Sequence, residues 1–529
     1  MKSFLQVAST QFPRRTVVSF VFLLFALLVA FKVGGYILSS DFTSLGFIGL
    51  VVAGAATLLV VINSWRKGLY FFLVWLLFED LARKFLGNNM AIYFAKDTLL
   101  LIVYLSFFAA YRRKDPDVHT FRPPFLPVLL VFVWYAALQM FNPASTSIFY
   151  GLLGIKLYFY YIPLIFVGYA VINSEADLRK FLNVNLGLML IIAVLGIAQS
   201  IVGPRFLNPE VIADDIRLLS ETYRVSAAGV RVYRPTSIFV STGRFADLLI
   251  VAWFLVFGFS GYLLLRDPRG RLFAFLALAV TAAACVMCMS RGVFLWSIIG
   301  AVVGSVAFLW GAPWRHGEAL RTLRSLQRAA LGIGLAVVVL LVAYPDAFLG
   351  RLAVYSETLD PRSPTNELVH RARDYPLQNF LAAFDYPRWP YGYGIGTISL
   401  GGQYVSRFFH TRPPAGNVES GFGTIVVEIG ILGLILWIAV STAIAFSAWK
   451  VVRGLKGSPW FPLAFMIFLY AIALLLPMTF VSMDAYQDFI LNAYLWLLLG
   501  ILFRLPTLAL TVPLSAGSAV PQTPSDWVR

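Results

Sequence analysis

Long apolar runs recur along the whole chain, and no stretch between them has room for a water-soluble globular domain. About 20 apolar residues cross the ~30 Å hydrocarbon core of a bilayer as a helix. In lipid each backbone N–H and C=O must find its partner inside the structure, which restricts such runs to helices. They predict helices at roughly 16–40, 44–64, 69–87, 96–111, 123–141, 150–172, 181–202, 237–265, 272–290, 292–311, 328–349, 420–448, 458–482 and 486–504. The expected fold is therefore an all-α polytopic integral membrane protein with about fourteen crossings. The run Val17 to Ala30 follows Arg14 and Arg15, as a signal peptide would. No small-residue cleavage site follows, and the run continues to Leu38, so it reads as the first membrane helix. Charge crowds the end of 69–87, at Glu79, Asp80, Arg83 and Lys84.

Composition agrees. The 529 residues are 59% hydrophobic and only 13% charged, about half the charged share of a soluble protein. The net charge of +16 would suggest nucleic acid in a soluble chain. Here the basic residues sit between apolar runs, so topology accounts for them first and no nucleic-acid partner is expected. Arg66 and Lys67, Arg112 to Lys114, Arg179 and Lys180, Arg266 to Arg271, Arg315 to Arg328, and Lys450 to Lys456 all fall in short loops on one side. Such loops stay cytoplasmic, so both termini are expected there, in a bacterial inner membrane. The division is 1–236 (helices one to seven and a first external loop), 237–349 (helices eight to eleven), 350–419 (a large periplasmic loop), 420–504 (helices twelve to fourteen) and 505–529 (a cytoplasmic tail).

Two external loops, about 203–236 and 350–419, carry Arg205, Arg217, Arg224, Arg231 and Arg234, then Arg351, Arg362, Arg371, Arg373, Arg388, Arg407 and Arg412, and neither contains a lysine. A guanidinium grips phosphate oxygens at two points where an ammonium cannot. A genome rich in arginine codons explains the same bias without function. The second loop adds Tyr375, Phe380, Phe384, Tyr386, Trp389, Tyr391 and Tyr393, with Gly392, Gly394 and Gly396. Aromatic faces suit sugar rings and equally suit the membrane interface. Residues 366–384, with Pro376 inside, read as one or two short interfacial helices.

Ionisable groups in or beside membrane helices are candidate functional residues. Arg244 and Asp247, one turn apart, form a pair or a site; Arg291 is an interface anchor or a ligand; Lys156 needs a partner inside its helix. Glu419 stands at the outer mouth of the twelfth helix and Glu428 deeper on it. Cys285-x-x-Cys288 lies in an apolar run and reads as helix packing, with no second ligand pair for a metal. Phosphate-binding loops, zinc-protease and nucleophile-elbow motifs are absent.

Three segments together resemble the O-antigen ligase/polymerase superfamily of membrane glycosyltransferases. They are Arg234-Pro235-Thr236-Ser237-Ile238-Phe239, Met289-Ser290-Arg291-Gly292, and the stretch from Tyr391-Gly392-Tyr393-Gly394 through Glu419-Ser420-Gly421-Phe422 into Glu428-Ile429-Gly430-Ile431-Leu432-Gly433. The resemblance covers about 230–440 by motif and the remainder by hydropathy. It implies glycosyl transfer at the outer face of the membrane. A hydroxyl of the acceptor glycan attacks the anomeric carbon of a donor glycan carried on undecaprenyl diphosphate, with inversion. By the same resemblance Arg234, Arg244 and Arg291, with Arg371 and Arg373, would hold the anionic leaving group. Glu419 falls where the family carries its catalytic His and would be the base, with His410 as the substitute. The His that this family uses is missing at that register. Its absence favours a polymerase of O-antigen or exopolysaccharide repeat units over a ligase to lipid A-core. The resemblance implies no cofactor or metal, and a chain-length regulator as a possible partner. A transporter or flippase is the non-enzyme alternative and predicts broken helices and an internal repeat; no repeat is visible.

Overall fold

The computed structural model describes residues 54, 58, 60–86, 90–209, 221–225, 229, 231–266, 270–313, 342, 345–360, 374–413, 415–416 and 418–511. The helix expected at 16–40, most of those expected at 44–64 and 328–349, and Arg371 and Arg373 lie outside these residues. In chain order the elements are α1 Trp65–Leu86, α2 Met90–Arg112, α3 Leu126–Gln139, α4 Ile148–Phe159, α5 Leu164–Val171, α6 Glu175–Val202, β1 Tyr223–Val225, β2 Arg231–Tyr233, α7 Thr242–Arg266, α8 Arg271–Met287 and α9 Arg291–Gly311. They continue with α10 Pro345–Leu359, α11 Tyr375–Ala382, α12 Gly402–Phe409, α13 Gly421–Gly454, α14 Phe461–Ala473, α15 Met483–Gln487 and α16 Phe489–Thr511. A π turn at Leu474–Met478 carries α14 on to Val481.

Among the described residues, 8 helical segments are long and apolar enough to cross a membrane: α2, α4 with α5, α6, α7, α9, α13, α14 with its extension, and α16. Helices α3 and α8 are apolar but shorter. The described residues are thus all-α apart from one hairpin and have the make-up of a helical multi-pass membrane protein. Burial grades across the bundle. The apolar windows of α7 and α16 are 89% buried and that of α9 is 22%. Helix α9 turns Ile298, Val302, Val306 and Leu309 outward at four-residue and three-residue steps, a stripe suited to lipid rather than water.

Local signals place the helix ends. Ser174 Oγ accepts from Asp177 N to cap α6, with Glu175 and Asp177 in its first turn. Ser147 caps α4 in the same way, and Pro127 and Pro462 open α3 and α14. Close packing of α5 on α16 depends on Gly168 and Gly500. A Cβ on either would collide with a backbone carbonyl of the other helix, at Leu497 and Ile165. The expected helix at 150–172 is interrupted at Tyr160–Pro163, dividing α4 from α5. Pro376 falls in the first turn of α11, not inside it.

Two units are distinct: Met1–Phe72 with Asp97–Ala109, and Leu73–Lys96 with Ala110–Arg529. Within the first, Trp65 meets Phe107 edge-on at 5.2 Å, and Ser106 Oγ donates to Ile62 O at 3.2 Å. The second holds the candidate site. There β1 and β2 pair antiparallel with Tyr223 opposite Tyr233 and Arg224 opposite Val232.

Candidate active site

The long loop is fixed to α13 by a break in that helix. Gly430 has φ 76°, a conformation other residues rarely adopt, and the break leaves carbonyls of the preceding turn without helical donors. The loop supplies them. Tyr393 N donates to Val427 O (2.9 Å) and Gly394 N to Glu428 O (2.8 Å), while Tyr135 OH of α3 donates to Ile429 O (2.8 Å). The two segments approach so closely that a Cβ on Gly392 would strike the Glu428 carbonyl, and one on Gly430 would come 2.5 Å from Pro390 O. Gln139 and Asn142 donate to the carbonyls of Tyr391 (2.9 Å) and Gly392 (3.1 Å). The glycine turn and the Glu-x-Gly-x-x-Gly segment are thus two halves of one contact.

Glu428 completes this joint. It is fully buried, and its carboxylate accepts from Ser399 Oγ (2.7 Å), Ile398 N (3.0 Å) and Tyr158 OH (3.0 Å). Satisfied on every side, it serves as a structural acceptor. Gln487 extends the network: its Nε2 donates to Ser399 Oγ (2.8 Å) and its Oε1 accepts from Leu400 N (2.7 Å).

Glu419 has a different setting. It is exposed and opens on a cavity of about 290 Å³ at the mouth of α13, between the end of α14, helix α15 and the loop strand Ile398–Leu400. Ser399, Thr424, Ser482, Asp484 and Gln487 supply the remaining polar lining. Among the described residues neither Glu419 nor Asp484 has a hydrogen-bond or ion-pair partner for its carboxylate. Enclosure, and then the Glu419 charge across the cavity, raise the Asp484 carboxyl above the ordinary carboxylate range. Ser420 builds the mouth: its Oγ donates to Phe480 O (2.9 Å) and accepts from Gly423 N, capping α13. His410 lies elsewhere. It ends α12 in a left-handed conformation (φ 51°), is exposed, and does not line the cavity.

The arginines divide into two groups. Val232, Met289, Val354 and Tyr355 form a small apolar cluster joining β2, the end of α8 and α10, with Phe294 of α9 stacked on Tyr355 at 4.3 Å. Arg234 and Arg291 each follow a member of this cluster by two residues. Arg351 is buried beneath it and reaches the carbonyls of Met287 (3.5 Å), Ser200 (3.2 Å) and Tyr233 (3.4 Å), neutralising the ends of α8 and α6. Burial lowers its guanidinium to about 10. Arg234 is different. Its Nε is buried without an acceptor, and its side chain has no ion pair or hydrogen bond among the described residues. Burial and then the neighbouring Arg224 lower its pKa.

Arg244 belongs to the other group and does not pair with Asp247. It takes Asp80 of α1 from NH1 at 2.6 Å and 2.7 Å, and Arg83 NH1 joins the same carboxylate at 3.0 Å. Asp247 instead lies within electrostatic reach of Asp484 and Asp488. Lys84 donates to Thr236 Oγ1 (2.9 Å) and Ser237 O (2.8 Å), and Lys96 pairs with Glu79 at 2.9 Å. The charges crowding the end of α1 are therefore buried partners of the Arg234–Arg244 segment. Gln199 Oε1 holds the same segment through Thr236 N (2.9 Å) and Ser237 N (2.6 Å), stabilising Ser237 at φ 51°. Lys156 lies over the Phe94 ring at 4.9 Å. Cys285 and Cys288 are buried and unlinked, and Cys288 Sγ donates to Cys285 O.

Neither a protein-family model nor a curated protein matches the chain.

Sequence reasoning named Glu419, Arg234, Arg244 and Arg291 but not Asp484, Gln487 or Ser399. A signal existed for Asp484: with Asp488 it crowds the short turn between two predicted helices. Ser399 and Gln487 carry no such signal, because only docking of the loop brings them to Glu419.

Proposed function

We propose that the chain is a membrane glycosyltransferase that joins oligosaccharide units carried on undecaprenyl diphosphate, at the outer face of a bacterial inner membrane. In this reading about fourteen helices cross the bilayer, both termini are cytoplasmic, and the loop-rich end faces the periplasm. The acceptor hydroxyl attacks the anomeric carbon. Its C–O bond forms as the bond to the diphosphate oxygen breaks, and the hydroxyl proton passes to Glu419. The lipid diphosphate leaves with the bonding pair, and Arg234, with Arg291 across the apolar cluster, stabilises its charge. Direct displacement inverts the anomeric centre.

One observation carries the reading. Glu419 stands at the mouth of a cavity, and Arg234 has a buried Nε; among the described residues the first has no partner for its carboxylate and the second no counter-ion. Uncompensated buried charge is costly and is retained where a ligand completes it. Arg244, held by Asp80, acts in this scheme by fixing the segment that carries Arg234. Transfer to lipid A-core instead of polymerisation uses the same groups and differs in acceptor.

A transport reading draws on the break at Gly430 and the π turn in α14. The carbonyls freed at the break are already taken by Tyr393 N, Gly394 N and Tyr135 OH, leaving none to coordinate a cation. The deciding experiment incubates purified protein with lipid-linked repeat units. Polymer longer than one unit supports the proposal; flux of lipid-linked glycan across vesicles without new glycosidic bonds overturns it.

A further inference from the structure

The cavity beside Glu419 has a lining that discriminates among sugars. Its polar groups are two carboxylates, Glu419 and Asp484, the hydroxyls of Ser399, Thr424 and Ser482, and the amide of Gln487; among the described residues no Lys, Arg or His lines it. At about 290 Å³ it is near the lower bound of small-ligand sites, ~300 Å³, a size for one sugar ring rather than a chain.

We infer that this cavity seats the terminal ring of the acceptor and selects a sugar without negative charge, neutral or amino-substituted, against a uronic acid or a phosphorylated ring. The inference rests on the proposed transferase reading and adds the acceptor class. A sugar hydroxyl both donates and accepts. Glu419 accepts its proton, the Ser482 hydroxyl donates to a neighbouring ring oxygen, and Ser399 and Thr424, whose own protons go to Glu428 and to backbone carbonyls, accept from ring hydroxyls. An anionic ring would meet two carboxylates with no cation among the described lining residues to offset them, so rejection comes from repulsion as well as from lost contacts. An ammonium on the ring would be attracted instead.

The test uses the full chain in lipid nanodiscs with three probes: methyl glucoside, methyl glucosaminide and methyl glucuronide. Saturation-transfer NMR reads binding of each without a lipid-linked donor. The neutral and amino glycosides should bind, with the glucuronide weaker by about tenfold or more. Asp484→Asn, which keeps the shape of the side chain, should narrow that gap, and Glu419→Gln with Asp484→Asn should close most of it. Equal or tighter binding of the glucuronide, no binding of any probe, or a gap unchanged in folded double-variant protein each overturns the inference. Polymer assays on the same preparation separate the two readings. Polymer formed without the preference leaves the transferase standing and the pocket refuted; the preference without any glycosidic bond formed does the reverse.

Discussion

Glu419 and Glu428 share one segment and meet opposite environments. Glu428 is enclosed by three donors, whereas the Glu419 carboxylate faces a cavity, with no partner among the described residues. Glu419→Gln should therefore abolish polymer formation, by ~10²–10⁴-fold as for a lost general base, while leaving the melting temperature unchanged. His410→Ala should retain polymerisation, and a dead His410→Ala beside an active Glu419→Gln would move the base into the loop. Glu428→Gln should do its damage through stability, about 1–3 kcal/mol from a buried network with a misplaced donor, read as a lower melting temperature in detergent. Arg234→Lys keeps the charge but loses the fork, and turnover should fall on the order of 10²-fold; near-normal rates would make Arg234 a topology anchor. Asp484 gives a pH signature. Its folded pKa is raised, so the native state binds the proton more tightly than the unfolded chain. That contribution is complete below the unfolded pKa and is lost as pH rises through the folded one. Asp484→Asn should thus gain thermal stability relative to the parent as pH rises from the ordinary carboxylate range through the raised pKa of Asp484, and a difference that stays constant with pH would contradict the assignment.

At the scale of elements, the break in α13 is the joint on which the candidate site hangs. Positive φ at Gly430 and the closeness of Pro390 O both exclude a side chain there. Gly430→Ala should cost ~1–3 kcal/mol in backbone strain and should also release the loop. Gly392→Ala meets the other side of the same contact, at Glu428 O. The two substitutions should be strongly non-additive, because either one separates the surfaces. Limited proteolysis within 386–413 reports the release, and full additivity with an intact loop would show the two glycines acting independently. Helix α1 shows the complementary case. Its charged end contradicts a simple membrane span, yet Asp80, Lys84 and Glu79 are each satisfied by Arg244, Thr236 with Ser237, and Lys96.

For the whole molecule, topology is the feature most open to measurement. Single cysteines replacing Tyr391 or Phe408, both well exposed, should react with an impermeant maleimide from outside, and those replacing Arg113 or Lys456 only after permeabilisation. The native Cys285 and Cys288 are buried and should contribute little background. Labelling of position 391 from the cytoplasmic side alone would refute the transferase, whose lipid-linked donor is presented externally.

Apolar run length and the lysine and arginine in short loops were enough, from the sequence alone, to give a helical membrane protein, helix positions close to those found among the described residues, and an expected orientation. These properties follow from the thickness of the bilayer and the cost of an unpaired backbone in it, and both act on each segment separately. The glycine turn, the Glu-x-Gly-x-x-Gly segment and the position of Glu419 were legible as separate motifs. That they form one joint was not, because Gly392 meets Glu428 and Gly430 through space. The partner of Arg244 was not legible for the same reason: proximity along α7 offers Asp247 as one option, while helix packing delivers Asp80 from 164 residues away. Only the tertiary structure decided which charges are spent on one another and which, like Arg234, Glu419 and Asp484, have no ion-pair partner among the described residues. Charge compensation is settled by distance and burial, and neither is a property of a residue's place in the chain.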